Sequence, residues 1–231
     1  MNTLLHDLGF VYKKPKHVPG KADPEEQAAF VRRFEELMTN KDPETLVFFT
    51  DSVHPTHNST PAYGWIRKGR EVELRANSGR ERLNLQGALN AETNEVIVER
   101  SVTVNAEAVI SFLSRIEEAH PEAERIYLIS DNAAYYHSKA VTEYLEARGS
   151  CISFWFLPAY SPNLNLIERV WKFMRGQLMN NRYYETFREF SEEALMFFEC
   201  LSDHADKLRT LLAHHFHLFK GAPEQRAVMA Y

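Results

Sequence analysis

A chain of 231 residues with 44% hydrophobic content and 15 Phe can bury one large core and leave room for a small appendage. A formal charge of −5 and a pI near 6.1 exclude a whole-chain basic signature, so any nucleic-acid contact must come from local patches. Two cysteines, Cys151 and Cys200, exclude a disulfide framework and are expected to be small buried hydrophobes. The N-terminus MNTLLHDLGFVYKK lacks a signal-peptide core, and no apolar run nears the roughly 18 residues of a membrane span. A cytoplasmic location and no membrane partner are expected.

In chain order, a short helix over about 2–8 precedes a Lys/Pro/Gly-rich connector, KKPKHVPGK. Residues 24–39 form a helix, with Pro24 and two Glu in its first turn. TLVFFTD (45–51) reads as a strand buried on both faces. Residues 52–80 are polar and irregular, with at most short strands near 63–67 and 71–75. LNLQGALN (83–90) and EVIVERSV (95–102) are strands, and the four residues between them make a hairpin. Asn105 caps a helix that stops at His120-Pro121. IYLIS (126–130) is a second apolar strand, 138–149 a helix ended by Gly149, and CISFWFL (151–157) another buried strand. From about 165 a helix carries Ile167, Trp171, Met174 and Leu178 on one face, and further helices follow near 185–200 and 203–219.

A meander followed by alternating strands and helices implies an α/β fold, a mixed five-stranded sheet flanked by helices. Right-handed crossovers place the strands at 126–130 and 151–157 parallel to the first strand. This is the ribonuclease H-like topology, here with extra C-terminal helices. The expected division is a lead segment over 1–22, a helical lead-in over 23–44, the main domain over 45–182 and a helical extension over 183–231.

Three carboxylates sit where regular elements meet turns or caps. Asp51 and Asp131 close apolar strands, and Glu168 opens the amphipathic helix in AYSPNLNLIERVWKFMR (159–175). Each has an ordinary alternative. Asp is a common turn former, and Asn165 with Glu168 three residues on matches a loosened capping box. Glu168 and Lys172 also form a favourable i, i+4 pair. Yet the topology brings all three acids to one end of the sheet, where open α/β sheets bind ligands. Such a cluster repels itself without a cation. With divalent ions it becomes a clamp for in-line phosphoryl transfer.

The segments SDNAAYYHSK (130–139) and LPAYSPNLNLIERVWKFMR (157–175) resemble the second- and third-acid motifs of the mariner superfamily. The likeness is greatest to its bacterial insertion-sequence transposases. Asp131-Asn132 stands where the family has Asp-Asn at a strand end, and Tyr160-Ser161-Pro162 where a Tyr-Ser-Pro segment precedes the catalytic Glu. The 36 residues between Asp131 and Glu168 resemble the family separation, and LQGALN with its hairpin also matches. The family usually has Pro where Leu166 stands. The resemblance covers about 45–180. It implies an Asp51-Asp131-Glu168 triad that is catalytic and metal-binding, with Mg²⁺ as cofactor and Mn²⁺ able to substitute. It implies DNA strand cleavage and strand transfer, with transposon ends and target DNA as partners and a homodimer on DNA. Relatives carry a helix-turn-helix region ahead of this domain. Residues 4–21 look like the tail of that region, so a helix-turn-helix partner or fused upstream frame is expected. A nuclease that does not join strands, and a non-catalytic relic, are the alternatives.

Candidate DNA-binding residues are Lys13 and Lys14 in the connector, and Arg67, Lys68, Arg70, Arg80 and Arg82 in the segment after the first acid. Residues 67–82 carry six Arg/Lys against three Glu. Lys172 and Arg175, beyond Glu168, complete the set. All can equally be solvated surface. Trp65 and Trp155 read as core aromatics, although Trp65 lies in a loop and could stack on a base. His54 and His57 flank the first acid. His214 and His217 share a helix face but lack a further ligand at metal spacing.

Overall fold

The computed structural model describes residues 2–11, 19–77, 80–147, 149–213, 216 and 218. Helices α1 (Asn2–Asp7) and α2 (Pro24–Asn40) lead into β1 (Thr45–Val53), and β2 (Asn84–Asn90) and β3 (Val96–Ser101) follow. Then come α3 (Ala106–Ala119), β4 (Arg125–Ser130), α4 (Lys139–Ala147) and β5 (Ile152–Phe156). The chain continues with α5 (Ile167–Leu178), α6 (Phe187–Glu199) and α7 (Ala205–Leu211). Lys13 and Lys14 lie outside the described residues, as do His214 and His217.

The sheet order is β3-β2-β1-β4-β5. β1 runs antiparallel to β2 and parallel to β4, and β4 is parallel to β5. The ribonuclease H-like mixed sheet expected from the chain order is therefore present. Alternation along β1 feeds two cores, because successive side chains point to opposite faces. Phe49 joins Phe34 of α2, Trp171 of α5 and Phe190 of α6 on one side. Phe48 joins Phe112 and Ile116 of α3 and Val141 of α4 on the other.

The caps follow the expected chemistry. Asp23 accepts from the amides of Glu25 and Glu26 at the start of α2, and Asn105 accepts from Ala108 N–H at the start of α3. Gly149 takes φ 58° just past α4, a left-handed position that a side chain would strain.

Several expectations change. β5 is an edge strand, so only Ile152 is fully buried along it, and Trp155 is partly buried at the core's margin, tilted 46° to Phe30 with ring centroids 5.0 Å apart. Trp65 stands free of the core at 106% relative exposure, because residues 61–77 form an irregular arm without strands. Cys200 is exposed, since it ends α6 on the outer surface. The helix expected over 203–219 is split into a 3₁₀ turn, Leu201–His204, and the short α7. Among the described residues, no helix is long and apolar enough to cross a membrane.

Candidate active site

The parallel register aligns Phe49 of β1 with Ile129 of β4, so two residues further on Asp51 and Asp131 stand level on neighbouring strands. Asp51 lies inside β1, two residues before its end, while Asp131 follows the last residue of β4. The loop after β5 starts against β4, where Leu157 N–H donates to Ser130 O at 2.8 Å. It returns to β1 through Asn165, whose Nδ2 donates to Thr50 O at 3.1 Å. The capping box is therefore not formed. Asn165 is spent on β1, Leu166 stands at the N-cap without a side-chain bond, and the Glu168 side chain is left for the site.

One contact seats α5 on the sheet. Gly87 of β2 is the register partner of Asp51, and a Cβ there would meet Trp171 Cη2 at 2.4 Å. Only a glycine lets the indole lie on the strand at this point. From that position Trp171 Nε1 donates to Asp51 Oδ2 at 3.2 Å. Sequence reasoning placed Trp171 in the core and missed this donor role. Its position three residues after Glu168, on the buried face of the same helix, is the signal that could have found it.

Asp51, Asp131 and Glu168 all line one cavity of about 420 Å³, with Asn132, Tyr160 and Asn165 among its other walls. Burial, then the charges of Glu168 and Asp131, raises the Asp51 carboxyl from 3.8 to about 7, against hydrogen bonds from the Ser52 amide and Trp171. Burial also raises Asp131, opposed by the Ala133 amide. Glu168 is raised by burial and by Asp131, and partly offset by Arg175. These are hard oxygen donors short of positive charge. Among the described residues, no three His, Cys, Asp or Glu side chains close on a single point as an ion cage. Carboxylates lining one cavity are the oxygen donors that a Mg²⁺-type ion takes, with water and substrate phosphate completing its shell. The donor set fits a divalent cation held jointly with substrate.

A family model described as "DDE superfamily endonuclease" matches residues 46–191. The chain belongs to the DDE superfamily endonucleases. A second model, a winged helix-turn helix, matches residues 1–34 of this chain and so reaches into α2. The chain is 24% identical over 201 residues to an uncharacterised 39 kDa protein of insertion element IS630 from Shigella sonnei, covering 86% of this chain and 57% of that protein. It is 32% identical over 83 residues to an uncharacterised protein of Sinorhizobium fredii, covering 36% of this chain and 58% of that protein. The chain thus spans less than two thirds of either relative. Its fold is similar to the Mos1 mariner paired-end complex with Mn, with TM-score 0.65, 16% identity and 95% of this chain against 71% of that one. It is likewise similar to the catalytic domain of the Mos1 mariner transposase, with TM-score 0.55, 16% identity and coverage of 86% and 94%.

Among the described residues, none of the predicted DNA-binding cations lines the cavity. Arg67, Lys68, Arg70, Arg80 and Arg82 lie exposed on the segment between β1 and β2. Lys172 and Arg175 are exposed on α5, and no described ion pair joins Glu168 to Lys172, whereas Arg175 acts on Glu168 through its charge. His57 is a structural residue, with Nε2 2.9 Å from Tyr184 O and its ring stacked on Phe190. His54 is turned to Asn84, 2.8 Å away. Neither histidine lines the cavity.

Proposed function

We propose that this endonuclease performs divalent-metal-dependent DNA strand cleavage and strand transfer as the catalytic part of an insertion-sequence transposase. The observation that carries the reading is the meeting of Asp51, Asp131 and Glu168 at one cavity, each carboxyl pushed towards its neutral form. Mg²⁺, or Mn²⁺ in its place, would be held by these three side chains. Bound there, the ions supply activation of a water or 3′-hydroxyl and charge compensation at the leaving oxygen.

The chain's own residues do the rest. Trp171, through its indole N–H, and the Ser52 amide hold the Asp51 carboxylate at the cavity. The Ala133 amide supports the Asp131 carboxylate. The loop over Leu157–Ser161 walls the cavity on the side that leads to Glu168. The exposed Arg67, Lys68, Arg70, Arg80 and Arg82, with Lys172 and Arg175, would hold phosphates outside the cavity and set strand register without reading sequence. The relative from an insertion element and the fold shared with Mos1 paired-end complexes support transposon ends as substrate and a dimer on DNA. The winged helix-turn helix match over 1–34 supports a sequence-reading segment that extends into α2, ahead of a main domain over 45–182 and a helical extension beyond it.

Asp51→Ala, Asp131→Ala and Glu168→Ala are each expected to lower cleavage by roughly 10³-fold or more, with far-UV circular dichroism unchanged. Incubating a 3′-hydroxyl donor duplex with plasmid and Mg²⁺ should yield joined product. Cleavage without joining would make the chain a nuclease only, and retained cleavage in a single variant would remove that acid from the site.

A further inference from the structure

Gln27 is the buried polar residue of α2, at 0% exposure beside the apolar Phe30 and Phe34. A primary amide buried among aromatic side chains is costly unless both of its ends are bonded. Both are, and both to the same loop. Gln27 Nε2 donates to Ser161 Oγ at 3.0 Å, and Asn163 Nδ2 donates to Gln27 Oε1 at 3.1 Å. The Ser161 hydroxyl is itself committed as a donor to Ala159 O at 3.2 Å, so it can only accept from Gln27.

A second observation points to the same place. Tyr160 has φ 56°, a left-handed conformation that non-glycine residues hold only when their surroundings enforce it. Lys21 Nζ, just ahead of α2, lies 5.5 Å from the centre of that ring. The ends of the loop are tied to β4 and β1, through Leu157 and Asn165. Its middle is held from α2. The loop supplies one wall of the cavity and leads directly into Glu168.

We infer that Gln27 is a positioning residue for the reaction: α2 clamps the strained 158–165 loop and so fixes the cavity wall and the entry to α5. This rests on the cavity being the catalytic site. It also makes the activity depend on a helix outside the matched endonuclease segment, one that the winged-helix match enters. Whatever displaces α2 displaces the wall of the site.

The test uses the full chain with Gln27→Met, which keeps the length of the side chain and removes both bonds. Amide hydrogen exchange over 158–166 should quicken by about 10-fold or more while β1 and β4 stay protected. Single-turnover cleavage at saturating DNA should fall by roughly 10²-fold, as expected for a displaced catalytic group. DNA affinity measured in EDTA should not move. If Gln27→Met fails to fold, Gln27→Asn, which keeps the amide but cannot reach both partners, gives the same readouts. In a Tyr160→Asn background, where the left-handed conformation is tolerated, the loss caused by Gln27→Met should shrink. Unchanged loop exchange would overturn the clamp, and so would faster exchange with wild-type cleavage. An undiminished loss in the Tyr160→Asn background would overturn the role of strain. Asp131→Ala in the same assay judges the catalytic site separately: its wild-type cleavage would remove the site, while loop exchange would still decide the clamp.

Discussion

Trp171 Nε1 donates to Asp51 Oδ2 at 3.2 Å, and even so the Asp51 carboxyl stays protonated up to a pH of about 7. Burial and two neighbouring acids outweigh two neutral donors, the Ser52 amide and the Trp171 indole. In the metal-free protein the folded state therefore holds this proton more tightly than the unfolded chain does. The resulting stability is complete below pH 4 and is lost as pH rises from there through 7, at a cost of up to about 4 kcal/mol. Asp51→Asn should consequently stabilise the metal-free protein at pH 8 by roughly 2–4 °C in Tm per kcal/mol recovered, with no gain at pH 4. Added Mg²⁺ should raise the Tm of the wild type at pH 8 and leave that of Asp51→Asn nearly unmoved. Differential scanning fluorimetry across pH checks both, and an Asp51→Asn protein less stable than wild type at pH 8 would show that the carboxylate is not strained.

At the scale of elements, the seating of α5 on the sheet sets the third acid. Trp171, Ile167 and Gly87 make that seat, and a methyl at position 87 would press within 2.4 Å of the indole and 3.0 Å of Ile167 Cδ1. Gly87→Ala should cost about 1–3 kcal/mol by overpacking, read as a lower urea midpoint at constant m. It should also reduce cleavage beyond what the lost stability explains, because the helix start carries Glu168. Normal cleavage in a destabilised Gly87→Ala protein would show that α5 can shift without disturbing the site. Both strands and helices here were legible from period and cap residues: Asn105 and Asp23 cap as their side chains suggest. Less legible were contacts that depend on which strand lies under which helix. The pairing of Asn165 with Thr50 O spans 115 residues and displaced a local capping box that the sequence alone favoured. β5 read as buried because its residues are apolar, but its place at the sheet edge, set by strand order, leaves it half covered.

Across the whole molecule the charges are segregated. The acids gather at the cavity, while Arg67, Lys68 and Arg70 stand on an arm anchored to the end of α5, where Thr60 N–H donates to Met179 O at 2.9 Å. Further along α5's exit, Asn181 grips Ala62 from both ends of its amide, at 2.9 and 3.0 Å. The arm is thus tied to the helix that begins with Glu168, so a duplex held by the arm is held relative to the third acid. Replacing Arg67, Lys68 and Arg70 together by Ala should flatten the dependence of log K on log salt by about 3, if each contacts a phosphate. Fluorescence anisotropy between low and moderate salt measures it, and an unchanged slope would make the three cations ordinary solvated surface.

The sequence by itself determined the element order and the mixed sheet and pointed to Asp131 and Glu168 as candidate acids, because period, caps and the Tyr-Ser-Pro segment are local properties of the chain. Asp51 was expected at the end of the first apolar run, although the strand continues to Val53. Only the tertiary structure decided that Glu168 is released from its helix cap, that Trp171 bonds Asp51, and that Gln27 grips the 158–165 loop. The reason is range. Each of these contacts joins residues more than a hundred positions apart or depends on a neighbour at the opposite end of one, and no local pattern in the chain records which distant side chain will arrive.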